Sequence, residues 1–285
     1  MTPGLRSLMR LLPRPLLERA LEWQWRGRIP AWAIRLVRRS FRDADQTIRH
    51  GAGRGLRFNP GRANVAYALG ISEPAVQEAL ARLLRPGDTF YDIGANVGLF
   101  TVIGARLVGP GGDVLAFEPH PETARALRHN VALNAFTQVT VIEAAAWREQ
   151  GRTDLVVRGE PTSARLADVQ GRGGAESSVP VRLVAIDDLV REGVVRPPAV
   201  VKMDIEGAEI EALQGMARTL DDWRPTVICE MHDRNAEFGA LMRAHGYTLT
   251  VLEEAAPVET AHWDVHAVAV HPAGPAARPA AAALP

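Results

Sequence analysis

From about residue 87 onward, short runs of β-branched and apolar residues alternate with stretches whose apolar positions recur every three to four residues. The runs read as strands near 89–93, 113–118, 138–143, 199–204, 225–230, 247–252 and 264–270. The stretches read as helices near 97–108, 121–135, 206–220 and 234–245. Several runs are almost wholly apolar, as strands covered on both sides must be. The alternation therefore predicts an α/β chain built on a doubly wound, mostly parallel sheet with helices on both faces. Residues 159–178, polar and glycine-rich, break the rhythm and are expected to form a mobile loop over a substrate site. Residues 272–285, mostly Pro and Ala, offer nothing to bury and are expected to be a disordered tail.

Upstream, Leu5, Leu8, Leu12 and Leu16 lie at helical spacing, followed by Trp23, Trp25 and Trp32 among Arg26, Arg28, Arg35, Arg38 and Arg39. This pattern predicts basic amphipathic helix. The chain thus divides into a basic helical N-terminal extension (1–50), a main domain (51–271) and the tail (272–285). Two readings of the extension stand side by side: helices packed on the main domain, or contact of residues 1–40 with anionic lipid.

Composition narrows the class. With 285 residues, 47% hydrophobic and 23% charged, the chain is globular rather than disordered, collagen-like or disulfide-stapled. No run approaches the roughly 18 apolar residues of a spanning helix. The formal net charge is zero, yet the first 50 residues hold eleven Arg against four acids, so the remainder is acidic. An acidic body repels phosphates, and no nucleic-acid partner is expected. Cys229 is the single cysteine, which excludes an internal disulfide framework and a Cys-based zinc site. The first apolar stretch is cut by Arg and Pro, so no secretion signal is read. A cytoplasmic location is expected, with the basic helices available to the inner face of the membrane.

The stretch from Asp92 to Gly98 follows a predicted strand and opens a predicted helix, the place where ligands bind in a doubly wound sheet. Gly94 and Gly98 are read as allowing close backbone approach to the ligand. Asp92, at the strand end, repels a pyrophosphate and suits an ammonium group. Glu118 ends the next strand 26 residues later, where an acid accepts hydrogen bonds from both hydroxyls of a ribose. An unphosphorylated nucleoside carrying an amino acid meets both demands, and S-adenosylmethionine is such a molecule. The competing dinucleotide NAD wants a glycine where this chain has Asn96.

These motifs resemble the FkbM family of S-adenosylmethionine-dependent methyltransferases. The resemblance rests on GDTFYDIGANVG (87–98), FEPHP (117–121), Asn130, Asn134, AIDDL (185–189) and VVKMDIEGAEIEALQGMA (200–217), followed by Pro225 and Glu230. It takes in Tyr67, Gly70 and Glu73 as a lead-in and covers about residues 65–231. It implies a class I methyltransferase (Rossmann-like) fold, with a seven-stranded sheet whose last strand runs antiparallel, and commonly O-methyl transfer to a sugar or natural-product hydroxyl. Asp92, Gly94, Asn96, Gly98, Glu118 and Glu73 are the candidate cofactor-binding residues.

Lys202, the only lysine among 33 basic residues, and Asp204 lie two apart on a strand and point to one side, with Met203 opposite. Asp204, Lys202 and His232 are the candidate catalytic residues: Asp204 to orient the acceptor, His232 as general base. An ion pair with a neighbouring acid is the alternative for Lys202. Glu206 and Glu209 suit the first turn of a helix, where acids meet the helix dipole. Asp204, Glu230 and His232 also offer a strand-end metal arrangement, but nothing in the spacing requires it, and no metal is assigned. His262, His266 and His271 are read as incidental, with a place at the border of the substrate pocket as the alternative for His262. The expected partner is a small-molecule or glycan acceptor. N-methylation of a small molecule or peptide and a non-catalytic nucleoside-binding module are the alternative functions.

Overall fold

The computed structural model describes residues 2–157, 165–170, 177–262 and 265–275. Its centre is a seven-stranded sheet of β1 (Thr89–Ile93), β2 (Asp113–Phe117), β3 (Val139–Ile142), β4 (Val200–Met203), β5 (Thr226–Glu230), β6 (Thr248–Val251) and β7 (His266–Val270). The spatial order is β6-β7-β5-β4-β1-β2-β3. The strands from β3 to β5 pair in parallel, and β7 runs antiparallel to both β5 and β6. The order in which the strands are laid down reverses between the parallel neighbours β1 and β4, so the β1 turn opens a crevice at the carboxyl edge of the sheet.

Alternation along the strands divides the core in two. Phe90, Val114, Ala116, Val200 and Ile228 pack on one face, with the helices Leu99–Val108 and Pro74–Leu83. Tyr91, Leu115, Phe117, Val201, Met203 and Cys229 pack on the other, with Ile210, Leu213, Phe238 and Met242. The helix Leu99–Val108 is buried almost all round, which its sequence LFTVIGARLV permits. Gly104 lets it approach β1: a Cβ there would sit 2.3 Å from the Phe90 ring.

Three N-terminal helices, Thr2–Leu11, Arg14–Trp25 and Ala31–Phe41, precede the domain. Leu17 and Phe41 are buried in the same cluster as Phe58, Leu69 and Leu80.

Two expectations need correction. The break after β3 is not simply a loop: Ala145–Ala146, Gly151–Val157, Arg165–Leu166 and Ser177–Val184 form a second, four-stranded sheet. Ala167–Gln170 adds a helical turn. Residues 159–164 and 171–176 of the expected loop, and 276–285 of the expected tail, lie outside the described residues. The single helix expected over 206–220 is two, Glu209–Gln214 and Ala217–Trp223. They part at Gly215, whose backbone approaches the Trp147 carbonyl so closely that a Cβ would lie 1.9 Å from it. Asp187 of AIDDL starts the second helix by accepting from the Arg218 and Thr219 backbone N–H groups at 2.9 and 2.8 Å.

Candidate active site

After Ile93 the backbone turns through Gly94 to Gly98 into the helix Leu99–Val108. Gly94 has φ +80, and a Cβ there would fall 1.8 Å from the Asp204 carbonyl oxygen, so only glycine lets the ends of β1 and β4 meet. Gly98 has φ +90, and its Cβ would strike Leu127 at 2.3 Å. At both positions the close approach within the chain is to protein.

Asn96, at φ 52, donates its backbone N–H to Glu118 Oε2 at 2.9 Å, and the His120 N–H donates to Glu118 Oε1 at 2.9 Å. These donors fix the carboxylate at the edge of an open cleft. Gly94, Asn96, Glu118, Asp204, Glu206 and, from the small sheet, Leu155 and Leu166 line it. Burial pushes Glu118 up to about 7, against the pull of the two N–H groups. Asn130 supports the turn from behind, accepting from the Asn59 N–H at 2.6 Å and donating to the Asn59 and Val97 carbonyls at 2.9 and 2.8 Å.

The opposite face of the sheet carries ionisable groups at the same edge. Lys202 stands beside Asp92 in the β4–β1 register, and Glu230 beside His266 in the β5–β7 register. Met203, as expected, is buried on the other side. Lys202 Nζ lies 3.3 Å from Asp204 Oδ2 and 4.9 Å from the Phe100 ring centroid. Burial disfavours the ammonium, but the charges of Asp204, Glu73, Asp92 and Glu230 outweigh it and raise its pKa. Lys202 is therefore a fixed cation rather than a proton acceptor. Burial raises Asp204, yet Lys202 and His232 hold it below its ordinary value, so it stays ionised.

Asp92 is wholly buried, accepts from Thr101 Oγ1 at 2.5 Å and leaves Oδ1 without a hydrogen-bond partner. Burial pushes it up to about 6 although Lys202 and Thr101 pull the other way. It lies on the sheet face opposite Ile93 and outside the lining of the cleft, at the base of the same turn. A buried carboxylate with an unpartnered oxygen fits an ammonium group, and Glu118, fixed at the cleft wall, fits a diol. The donor set thus suits S-adenosylmethionine.

His232 connects the two regions. Its Nδ1 lies 2.9 Å from Glu209 Oε1, and its Nε2 lies 3.9 Å from both Asp204 Oδ1 and Glu206 Oε2. Burial lowers the imidazolium, but the Glu209 hydrogen bond and the charges of Glu209, Asp204 and Glu230 push it up to about 9. Glu209 does more than meet a helix dipole: Oε1 also accepts from the Gly207 N–H at 3.0 Å, which locks the carboxylate against the ring. Glu206 pairs with Arg165 of the small sheet at 2.9 Å. Asp204, Glu230 and His232 do converge, with ligand atoms within 4.8 Å of one another.

His266, expected to be incidental, is 5% exposed and sits among carboxylates. Its Nδ1 lies 2.7 Å from Glu253, and its Nε2 faces Glu73 at 3.4 Å and Glu230 at 3.6 Å. Glu73 belongs to this group and not to the lining of the cleft. The signal for His266 was its position beside Glu230 on adjacent strand ends, visible only once the β5–β7 register is known.

Sheet order, glycine turn and paired acids define a class I methyltransferase dependent on S-adenosylmethionine. Residues 92–259 match the family model for the methyltransferase FkbM domain, and the chain belongs to that family. It is 31% identical over 206 residues to the 31-O-demethyl-FK506 methyltransferase FkbM of Streptomyces tacrolimicus, covering 60% of this chain and 76% of that one. It is 31% identical over 145 residues to the hexuronic acid methyltransferase AglP of Haloferax volcanii, covering 51% and 56%. Among solved structures, an FkbM methyltransferase from Methylobacillus flagellatus KT aligns with a TM-score of 0.45 at 17% identity, covering 73% of this chain and 55% of that one.

Proposed function

We propose that the enzyme methylates a hydroxyl on a sugar, glycan or natural product. The observation that carries this reading is the arrangement of His232 behind the cleft residues Asp204 and Glu206, with Nδ1 held by Glu209 and Nε2 facing both of them. Such a ring, once neutral, accepts a hydroxyl proton at Nε2, while ionised Asp204 accepts a hydrogen bond that orients the nucleophile. When bound, S-adenosylmethionine supplies a methyl group activated by its sulfonium. The chain's part is alignment: Asp92 toward the ammonium, Glu118 toward the ribose, and Lys202 holding Asp204 in place. Alignment of this kind supplies as much as ~7–11 kcal/mol in favourable reactions. The names of two relatives, a 31-O-demethyl-FK506 methyltransferase and a hexuronic acid methyltransferase, support an oxygen acceptor.

The carboxylates around the cleft favour one second reading, transfer to an amine that they attract as an ammonium ion and that loses its proton before its lone pair attacks the methyl. Incubation with methyl-labelled donor and panels of secondary alcohols, uronic acid glycosides and amines separates the two. An alkali-stable ether on an alcohol supports the proposal; label found only on amines overturns it. His232→Gln is expected to lower the transfer rate by ~10²–10⁴ with cofactor affinity retained.

For the N-terminal helices we propose peripheral contact with an anionic membrane surface. No helix of the described residues is long and apolar enough to cross a membrane. Of the nine exposed large hydrophobics among them, Leu8, Leu11, Leu16, Trp23, Trp32 and Leu36 lie on these helices, alongside exposed Arg35, Arg38, Arg39 and Arg42. Salt-sensitive cosedimentation with phosphatidylglycerol vesicles, lost in a Trp32→Ser/Leu36→Ser variant, supports the contact. No binding, or self-association burying these residues instead, overturns it.

A further inference from the structure

We infer that Glu73, Glu230 and His266 form a binding site for one divalent transition-metal ion beside the transfer site. The three come from distant parts of the chain: the turn before the helix Pro74–Leu83, the end of β5 and the start of β7. Their ligand atoms lie within 4.8 Å of one another.

The spacing is informative. His266 Nε2 is 3.4 Å from Glu73 Oε2 and 3.6 Å from Glu230 Oε2. Hydrogen bonds between such groups close to about 2.7–3.0 Å. Ligands around a tetrahedral ion with bonds of ~2.1 Å stand roughly 3.4 Å apart. Moreover, His266 Nε2 and Glu73 Oε2 are buried without any hydrogen-bond partner. A buried nitrogen and a buried carboxylate oxygen that face each other unbonded lack the group between them.

The outer contacts suit a metal too. His266 Nδ1 lies 2.7 Å from Glu253 Oε1, and the same carboxylate accepts the His266 backbone N–H through Oε2 at 2.9 Å. With Nδ1–H donating to Glu253, the lone pair of the neutral ring is on Nε2, the carboxylate–histidine–metal arrangement. One imidazole with two carboxylates selects ions such as Zn²⁺ or Mn²⁺ over Ca²⁺. Glu73 and Glu230 keep 19% and 23% of their side chains exposed, so an ion can enter and retain water or an acceptor oxygen in its remaining positions. The neighbouring trio Asp204, Glu230 and His232 is the poorer host. There Lys202 already pairs directly with Asp204 at 3.3 Å, and His232 Nε2 is 3.9 Å from Asp204.

The test is calorimetric titration of the chelator-treated full chain with Zn²⁺ and with Mn²⁺, without cofactor or acceptor. One equivalent is expected. Glu73→Gln and His266→Gln should abolish it, Glu253→Gln should weaken it roughly 10–100-fold, and Asp204→Asn should leave it in place. Should Glu73→Gln or His266→Gln fail to fold by circular dichroism, Glu253→Gln carries the comparison. Absence of saturable binding to the wild-type chain means that a protonated imidazole alone fills the gap, and overturns the site. Binding that survives Glu73→Gln, or that is lost in Asp204→Asn, overturns it equally. Because the readout is metal binding, it is independent of which acceptor is methylated.

Discussion

His232 sets the pH response of the proposed chemistry. Its imidazolium persists up to about 9, and only the neutral ring accepts a proton, so kcat/KM should rise with pH and level off near that value. Glu209→Gln removes the carboxylate that favours the imidazolium, and should move the rise to lower pH; an unmoved profile would exclude His232 as the base. At Lys202, replacement by Met leaves Asp204, Asp92, Glu73 and Glu230 without their shared cation. A loss of about 3–5 kcal/mol is expected in chemical denaturation. The strand-end acids and Lys202 were legible in the sequence because period-two alternation and strand position determine where they point. The partners were not: Glu209 meets His232 from 23 residues away, and Glu73 and Glu253 meet His266 only through the folded chain.

Among the elements, the turns carry the tightest steric demands. Gly94→Ala drives a Cβ into the Asp204 carbonyl, and should cost more than Gly193→Ala, where φ is +68 but nothing lies within 4 Å. The second change is limited to the left-handed penalty of ~1–2 kcal/mol, and urea midpoints compare the two directly. Asn130→Ala strands the Asn59 N–H and C=O together with the Val97 carbonyl, at about 1–3 kcal/mol for each group left buried and unpaired. The main strands and helices could be read because their apolar periods are strong. The small sheet could not: Ser177–Val184 has its first four residues partly or fully exposed and a proline inside it, so local composition resembles a loop while pairing with Gly151–Val157 makes it a strand.

For the whole molecule, several buried groups push stability in one direction with pH. Burial raises Asp92 to about 6 and Glu118 to about 7. Carboxylates raise His232 to about 9 and His266 to about 11 despite burial. Each of these groups binds its proton more tightly in the folded than in the unfolded chain, so stability falls as pH rises through the window between its two values. The ligand-free protein should melt at a lower temperature at about pH 9 than at about pH 6, and a flat or rising profile would contradict these raised values. How the N-terminal helices meet the body was not legible beforehand, because amphipathic helix suits both protein and lipid. Leu17 and Phe41 decide that part of the helices is core.

The solitary lysine has a practical corollary. Lys202 is 2% exposed, so an acylating reagent finds no other side-chain amine anywhere in the chain and reaches this one only when the sheet edge comes apart. Its modification rate, followed by mass spectrometry, is therefore a clock for opening of this edge of the sheet, and any bound ligand that braces it should slow the reaction.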